Sequence, residues 1–297
     1  MRNFRILKDR MANSVMFTLT LASLLLVVVI GVGLYLKASP LMDGSSLSDL
    51  LWSSQWQPMQ GNFGFLPFLM STLWVTAIAI IIAAPISLLC AVFLTEYSKT
   101  RFRKYVFPAL DILGGLPSII YGIWGILLVV PWISTVLGPA FDVSTTGYSM
   151  LAGGIVLGIM ILPLLVSLFI EIFTSVPSEL REAAVSLGAT KWQTTKAVVL
   201  RKTLPGIVAA IILALSRAFG ETIAVLMVCG SQARVPHSVF DNSSPLPALI
   251  AAHYGEMASI PLYDAALMFA ALILFVVVLF FNLGSRMILY RIEKTFF

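Results

Sequence analysis

Long apolar runs alternate with short polar segments along the whole chain. Six runs lie near Ser14–Leu36, Leu66–Leu94, Tyr105–Ser134, Tyr148–Phe173, Gly206–Gly230 and Asp264–Ile288. A helix needs about 20 apolar residues to cross the hydrocarbon core of a bilayer, and every run reaches that length. The pattern predicts an all-α integral membrane protein with six transmembrane helices. One polar island, Pro177–Gly206, separates the fourth and fifth runs. Pro177 suits a first helical position, which puts Glu179 at N3, where negative charge favours the helix dipole. Gly188 suits a C-terminal stop. Thr190 and Gln193 have capping-box spacing and start a second helix. The island therefore predicts helix, glycine elbow, helix at the membrane surface. It presents Glu182, Ala183, Ala184 and Gly188, and its small residues allow close approach by another protein.

Charge sets the orientation. One side receives Arg2, Arg5, Lys8 and Arg10, then Lys99, Arg101, Arg103 and Lys104, then Arg181, Lys191, Lys196, Arg201 and Lys202, then Arg286, Arg291 and Lys294. The other side receives Lys37 and Arg234. By the positive-inside rule both termini and the polar island are cytoplasmic, in a multi-pass protein of the cell (inner) membrane. Composition agrees: 59% of residues are hydrophobic and 11% charged, against about a quarter charged in soluble domains. The net charge of +5 does not point to nucleic acid, because the basic residues flank apolar runs instead of clustering on one face. The first run is longer than the apolar core of about 7–15 residues in a signal peptide, and no A-x-A site follows it, so it reads as a retained span. Cys90 and Cys229 fall in predicted spans near opposite faces, and read as small apolar core residues.

The third run carries Gly114, Gly115, Pro117, Gly122 and Gly125 between Pro108 and Pro131, with Asp111 near its cytoplasmic end. Such a helix kinks or breaks, which is tolerated where backbone faces protein or a water-lined cavity. Its stretch L-P-S-I-I-Y-G-I-W-G, Leu116–Gly125, suits both close helix packing and the lining of a pathway. In the external loop Ala38–Gly64, Trp52 and Trp56 read as interface anchors. In the loop Ser231–Tyr263, His237 and His253 read as solvated, since their spacing fits no metal motif.

The chain contains no G-x-x-x-x-G-K-[ST], no H-E-x-x-H and no G-x-S-x-G. It is not expected to be an enzyme or to bind a cofactor or metal; where ATP drives it, a partner binds and hydrolyses the nucleotide. The sharpest chemical signal is Ser216-Arg217-Ala218-Phe219-Gly220-Glu221-Thr222, near the middle of the fifth run. A mid-membrane arginine costs about 2.5–3.5 kcal/mol even on the gentler insertion scale, so intramembrane charges mark pathways. Arg217 and Glu221, four apart, share a helix face, although Glu before Arg is the better order for a simple ion pair. Arg217 offers a guanidinium fork to a tetrahedral oxyanion. Glu221 accepts a hydrogen bond from the hydroxyl that phosphate carries and sulfate lacks.

At Glu182, Ala183, Ala184 and Gly188, E-A-A-x-x-x-G resembles the EAA loop of ABC importer permeases. The family's following I-x-L-P is Val198, Val199, Leu200 and Arg201 here, with a Leu-Pro pair later at Leu204 and Pro205. Together, Leu116–Gly125, the EAA loop and S-R-A-F-G-E-T are similar to the membrane subunits of Pst-type phosphate ABC importers, closer to the C than to the A subunit. The resemblance covers the chain from Gly64 onward. It implies the ABC importer type I permease fold, with residues 1–63 as tail, first span and external loop, and 64–297 as a five-helix core carrying the EAA-like loop at 174–205. It implies Arg217, Glu221, Thr222, Ser118 and Tyr121 on the substrate pathway, and Glu182, Ala183, Ala184 and Gly188 as the ATPase-docking residues. The implied partners are a second permease subunit in a heterodimer, two cytoplasmic ABC ATPase subunits, an external phosphate-binding protein and membrane lipid. Two rival readings are a permease for another oxyanion, such as molybdate or sulfate, and a stand-alone secondary anion transporter or channel, which leaves the polar hairpin without a job.

Overall fold

The computed structural model describes residues 2–257 and 259–296, without the side chains of 2–10, 100, 285 and 288–296. The basic clusters Arg2, Arg5, Lys8 and Arg10, and Arg291 and Lys294, thus have side chains outside the described residues. The chain is helical almost throughout: α1 (Arg2–Gly44), α2 (Leu47–Trp52), α3 (Leu66–Tyr97), α4 (Thr100–Gly115), α5 (Ser118–Ala140), α6 (Met150–Thr174), α7 (Ser178–Ser186), α8 (Lys191–Phe219), α9 (Ile223–Val228), α10 (Leu246–Met257) and α11 (Pro261–Phe296). Among the described residues six of these are long and apolar enough to span a membrane: α1 from Met11, α3, α5, α6, α8 and α11 to Gly284.

Helices α3 and α6 run side by side through the centre. Gly154 and Gly158 of α6 face Ile78 and Ala79 of α3 so closely that a Cβ on either would crowd its neighbour, and one on Gly153 would meet Cys229. Without a hydrophobic drive between helices in lipid, this close backbone approach supplies the association. Around the pair, Val156, Ile161, Leu165 and Phe169 bury against Ala210, Ala214, Val225 and Val129, uniting α5, α8 and α9 in one core. A second core joins Ala38 and Leu41 at the end of α1 to Phe65, Phe68, Leu246, Leu249 and Phe269.

Several expectations change. The second helix of the polar island and the fifth span are one continuous helix, α8; its first turns are too basic to register as an apolar run, yet the Thr190–Gln193 capping box starts it at Lys191. That helix ends at Phe219 instead of continuing to Gly230. The loop Ser231–Tyr263 is partly an internal segment: Ser243 through Leu249 are buried, and the Leu246 N–H donates to Thr72 Oγ1 at 2.8 Å. His253 packs on the Tyr263 ring, with Nδ1 3.0 Å from the Leu249 carbonyl, whereas His237 is exposed as expected. Finally, Trp56 leaves the anchoring role to exposed Trp52. It pairs with Phe63 across a short hairpin (β1, Trp56–Gln57; β2, Asn62–Phe63) and meets Phe65, Phe68 and Tyr263 edge-on. Of the cysteines, Cys229 is a core residue and Cys90 is exposed on α3.

Candidate functional site: a helix break at mid-height and a polar hairpin

The third run breaks where its sequence is weakest. α4 ends at Gly115, Leu116 and Pro117 are extended, and α5 begins at Ser118. Proline cannot donate to the preceding turn and disfavours a helical residue before it. Gly114 sits beside Pro163, at the middle of α6, which fixes the height of the break. The Tyr121 hydroxyl donates to the Leu113 carbonyl at 2.7 Å, bridging the two half-helices. Tyr121 is buried and occupied in this bond, so it braces the break and offers no free hydroxyl to a pathway. Ser118, half-buried, opens the new helix.

A second break lies at the same height. Gly206 rests on Ile172 near the C-terminal end of α6. Arg217, eleven residues on, is roughly 16 Å further along the axis. Ala218 and Glu221 border a small cavity with Leu157, Thr72 and Thr76. Arg217 therefore stands level with the middle of α6, in the last turn of α8, where the negative end of the helix dipole favours a cation. It is exposed, and among the described residues no ion pair or side-chain hydrogen bond engages it.

The expected common face of Arg217 and Glu221 is not formed, because the helix stops between them. Glu221 turns toward the inner cavity, and its Oε1 accepts the Ala224 N–H at 3.4 Å, at the start of α9. The Thr222 hydroxyl donates to the Gly220 carbonyl at 3.1 Å. α5 and α9 then run side by side, Gly122 against Met227 and Gly125 against Val228. Leu213, one turn before Arg217, is exposed, as are Ile223 of α9 and Ile119, Ile120 and Ile123 of α5.

The polar hairpin forms as its caps predict. Pro177 is the N-cap residue, one position earlier than expected, and Glu179 lies in the first turn. Gly188 adopts φ +84°, and its N–H and that of Ala189 bond back to the carbonyls of Val185 and Ala184 at 2.9 and 3.1 Å. This is a Schellman closure, which favours glycine because a Cβ is strained at positive φ. Nothing lies within 4 Å of a Cβ added there, so backbone strain alone would oppose substitution. Both bonds of the Thr190–Gln193 capping box are present, at 2.8 and 3.3 Å. Glu182, Ala183 and Gly188 are exposed and Ala184 is half-exposed. Beside them Leu180, Val185, Leu187 and Trp192 are exposed, Leu187 to 89%. One member of the site had no signal in the sequence: Glu96 at the end of α3, whose carboxylate pairs with Arg181 of α7 at 3.0 Å.

Residues 83–294 match the family of binding-protein-dependent transport system inner membrane components. The chain belongs to that family. It is 34% identical over 309 residues to the phosphate transport system permease protein PstC of Mesorhizobium japonicum, covering 98% of this chain and 94% of that protein. It is 36% identical over 258 residues to PstC of Pasteurella multocida, covering 82% of this chain and 80% of that protein. A solved inward-facing MetNI methionine ABC transporter chain shares the fold, with TM-score 0.59 and 20% identity over 80% of this chain and 99% of that one. The protein is thus a multi-pass permease of the type I ABC importer fold, with the six spans described above.

Proposed function

We propose that this chain is the permease subunit of an ATP-driven importer of inorganic phosphate, and that phosphate crosses the membrane past Arg217. The observation that carries this reading is a free, exposed guanidinium level with the middle of α6, next to the break that ends α8 in an otherwise apolar stretch. In hydrocarbon such a residue is retained against a cost of a few kcal/mol, and its planar fork matches a tetrahedral oxyanion. The start of α5 at Ser118 adds the positive end of a second helix at the same height. Relatives described as phosphate permeases, one of them matched over 98% of this chain, support the choice of anion.

In this reading the exposed face of α5, α8 and α9 meets a second permease subunit, and the pathway runs between the two. Both termini and the polar hairpin are cytoplasmic, following the distribution of Lys and Arg. Glu182, Ala183, Ala184, Gly188 and exposed Leu187 dock an ATPase subunit, and an external binding protein delivers phosphate. Lipid surrounds the apolar outer faces. Glu221 and Tyr121 work behind the pathway, one seating α9 and the other bracing the third-span break, while Thr222 closes the turn next to Arg217.

Uptake of labelled phosphate, competed with sulfate and molybdate, in cells with and without this chain tests the reading. Phosphate uptake that depends on the chain and resists both competitors is expected. Stronger competition by molybdate or sulfate than by phosphate itself would assign the permease to another oxyanion, and uptake without any copurifying ATPase would make it a secondary transporter.

A further inference from the structure

The tip of α3, Phe93–Tyr97, is a single turn of π-helix. It is one of four such turns among the described residues, the others lying within α5 and α8. Three separate elements converge on this one. From α7, Arg181 donates Nε and Nη2 to Glu96 Oε1 at 3.3 and 3.0 Å, while the rest of its fork reaches the carbonyls of Val176 and Phe173 beyond and within the end of α6. From the first turn of α8, the Lys191 ammonium lies 5.6 Å from the centre of the Tyr97 ring. From α4, Arg103 donates to the Thr95 carbonyl and, at 3.1 Å, to Ser98 Oγ.

The pair at the centre is largely shielded, with Glu96 12% and Arg181 24% exposed. Separating it would leave both charges half-buried and unpaired, so the hairpin and the α3 tip are held as one body. The connection continues inward. α4 is gripped at its start by the same tip and ends at the Leu116–Pro117 break, where Tyr121 ties Leu113 to the beginning of α5. One continuous series of helices and hydrogen bonds therefore joins the polar hairpin to the break between α4 and α5.

The geometry points to Glu96 and Arg181 as the linkage through which movement of the docking hairpin is delivered to the inner half of the third span. Neither belongs to the EAA-like signature, and neither lies on the Arg217 face. They are positioning residues: they touch no substrate and no nucleotide. The inference rests on the docking role given to the hairpin above.

The test uses the complete complex, purified and reconstituted in liposomes, with phosphate uptake and ATP hydrolysis measured on the same preparation. Glu96→Gln removes the charge and keeps the shape; Arg181→Gln removes the fork. Both variants are expected to retain their ATPase subunits and to hydrolyse ATP within about twofold of wild type, while phosphate moved per ATP falls roughly 2- to 30-fold. The double variant is expected to be no worse than the worse single one, because a shared link is lost only once. An unchanged ratio of phosphate to ATP in both single variants overturns the linkage, and so does a double loss equal to the product of the single ones. If Arg181→Gln fails to assemble, Glu96→Gln decides alone, since it leaves the bonds of Arg181 to the two carbonyls in place. A wild-type complex that holds no ATPase sinks the docking reading instead, so the two failures are distinguishable.

Discussion

The polar hairpin and the mid-height break are built by opposite means. In the hairpin every feature is local: the Gly188 closure and the Thr190–Gln193 box join residues no more than five apart. At the break, the chain is free to leave the helix at Gly220 because other elements take over its packing. Glu221 turns into a cavity walled by α3 and α6, and α9 lies against α5. A surface that must meet a soluble partner is pre-shaped by its own caps. A pathway residue in lipid needs a whole bundle to hold it.

Variants on the two sides are expected to fail differently. The largest effect is expected at Arg217. Arg217→Gln should lower uptake by roughly 10- to 100-fold, the value of a charge-assisted hydrogen bond, with ATPase subunits still bound. Arg217→Lys should fall between it and wild type, because the charge remains but the bidentate fork is lost. Uptake and pull-down measured on the same complexes check both, and normal uptake by Arg217→Gln would remove the residue from the pathway.

Gly188→Val comes next. A left-handed residue costs about 1–2 kcal/mol with any side chain and more when β-branched. Here the ATPase subunits should bind about tenfold more weakly while the chain still inserts, since the spans are untouched. Titrating the ATPase against the permease pair measures the shift; wild-type binding contradicts the assignment of the hairpin.

Glu221→Gln should act on every anion alike. The amide keeps a carbonyl to accept the Ala224 N–H, so the loss should be about 1 kcal/mol of support for α9. A selective gain in sulfate competition would instead put the carboxylate on the substrate. The smallest effect is expected from Tyr121→Phe, which deletes one hydrogen bond across the third-span break, worth about 1 kcal/mol. Thermal unfolding of the complex should drop by a few degrees, and unaltered stability and uptake together would show that the break needs no brace.

The sequence by itself determined the six spans, the hairpin and its elbow, and the break in the third run. Each of these follows from local causes: apolar length, cap spacing, and a proline after two glycines. It placed Arg217 at mid-height as well, because one charge in an apolar run is legible without coordinates. Only the tertiary structure decided that α8 runs unbroken from that capping box and stops at Phe219, that Glu221 faces away from Arg217, that Tyr121 is a brace, and that the loop containing Leu246 is buried against Thr72. It alone revealed Glu96, 85 residues from Arg181 in the chain. The reason is physical. Helix periodicity and capping act over a few residues, whereas the direction a side chain takes at a helix end, and the partner it finds across a bundle, depend on which neighbours fold back to meet it.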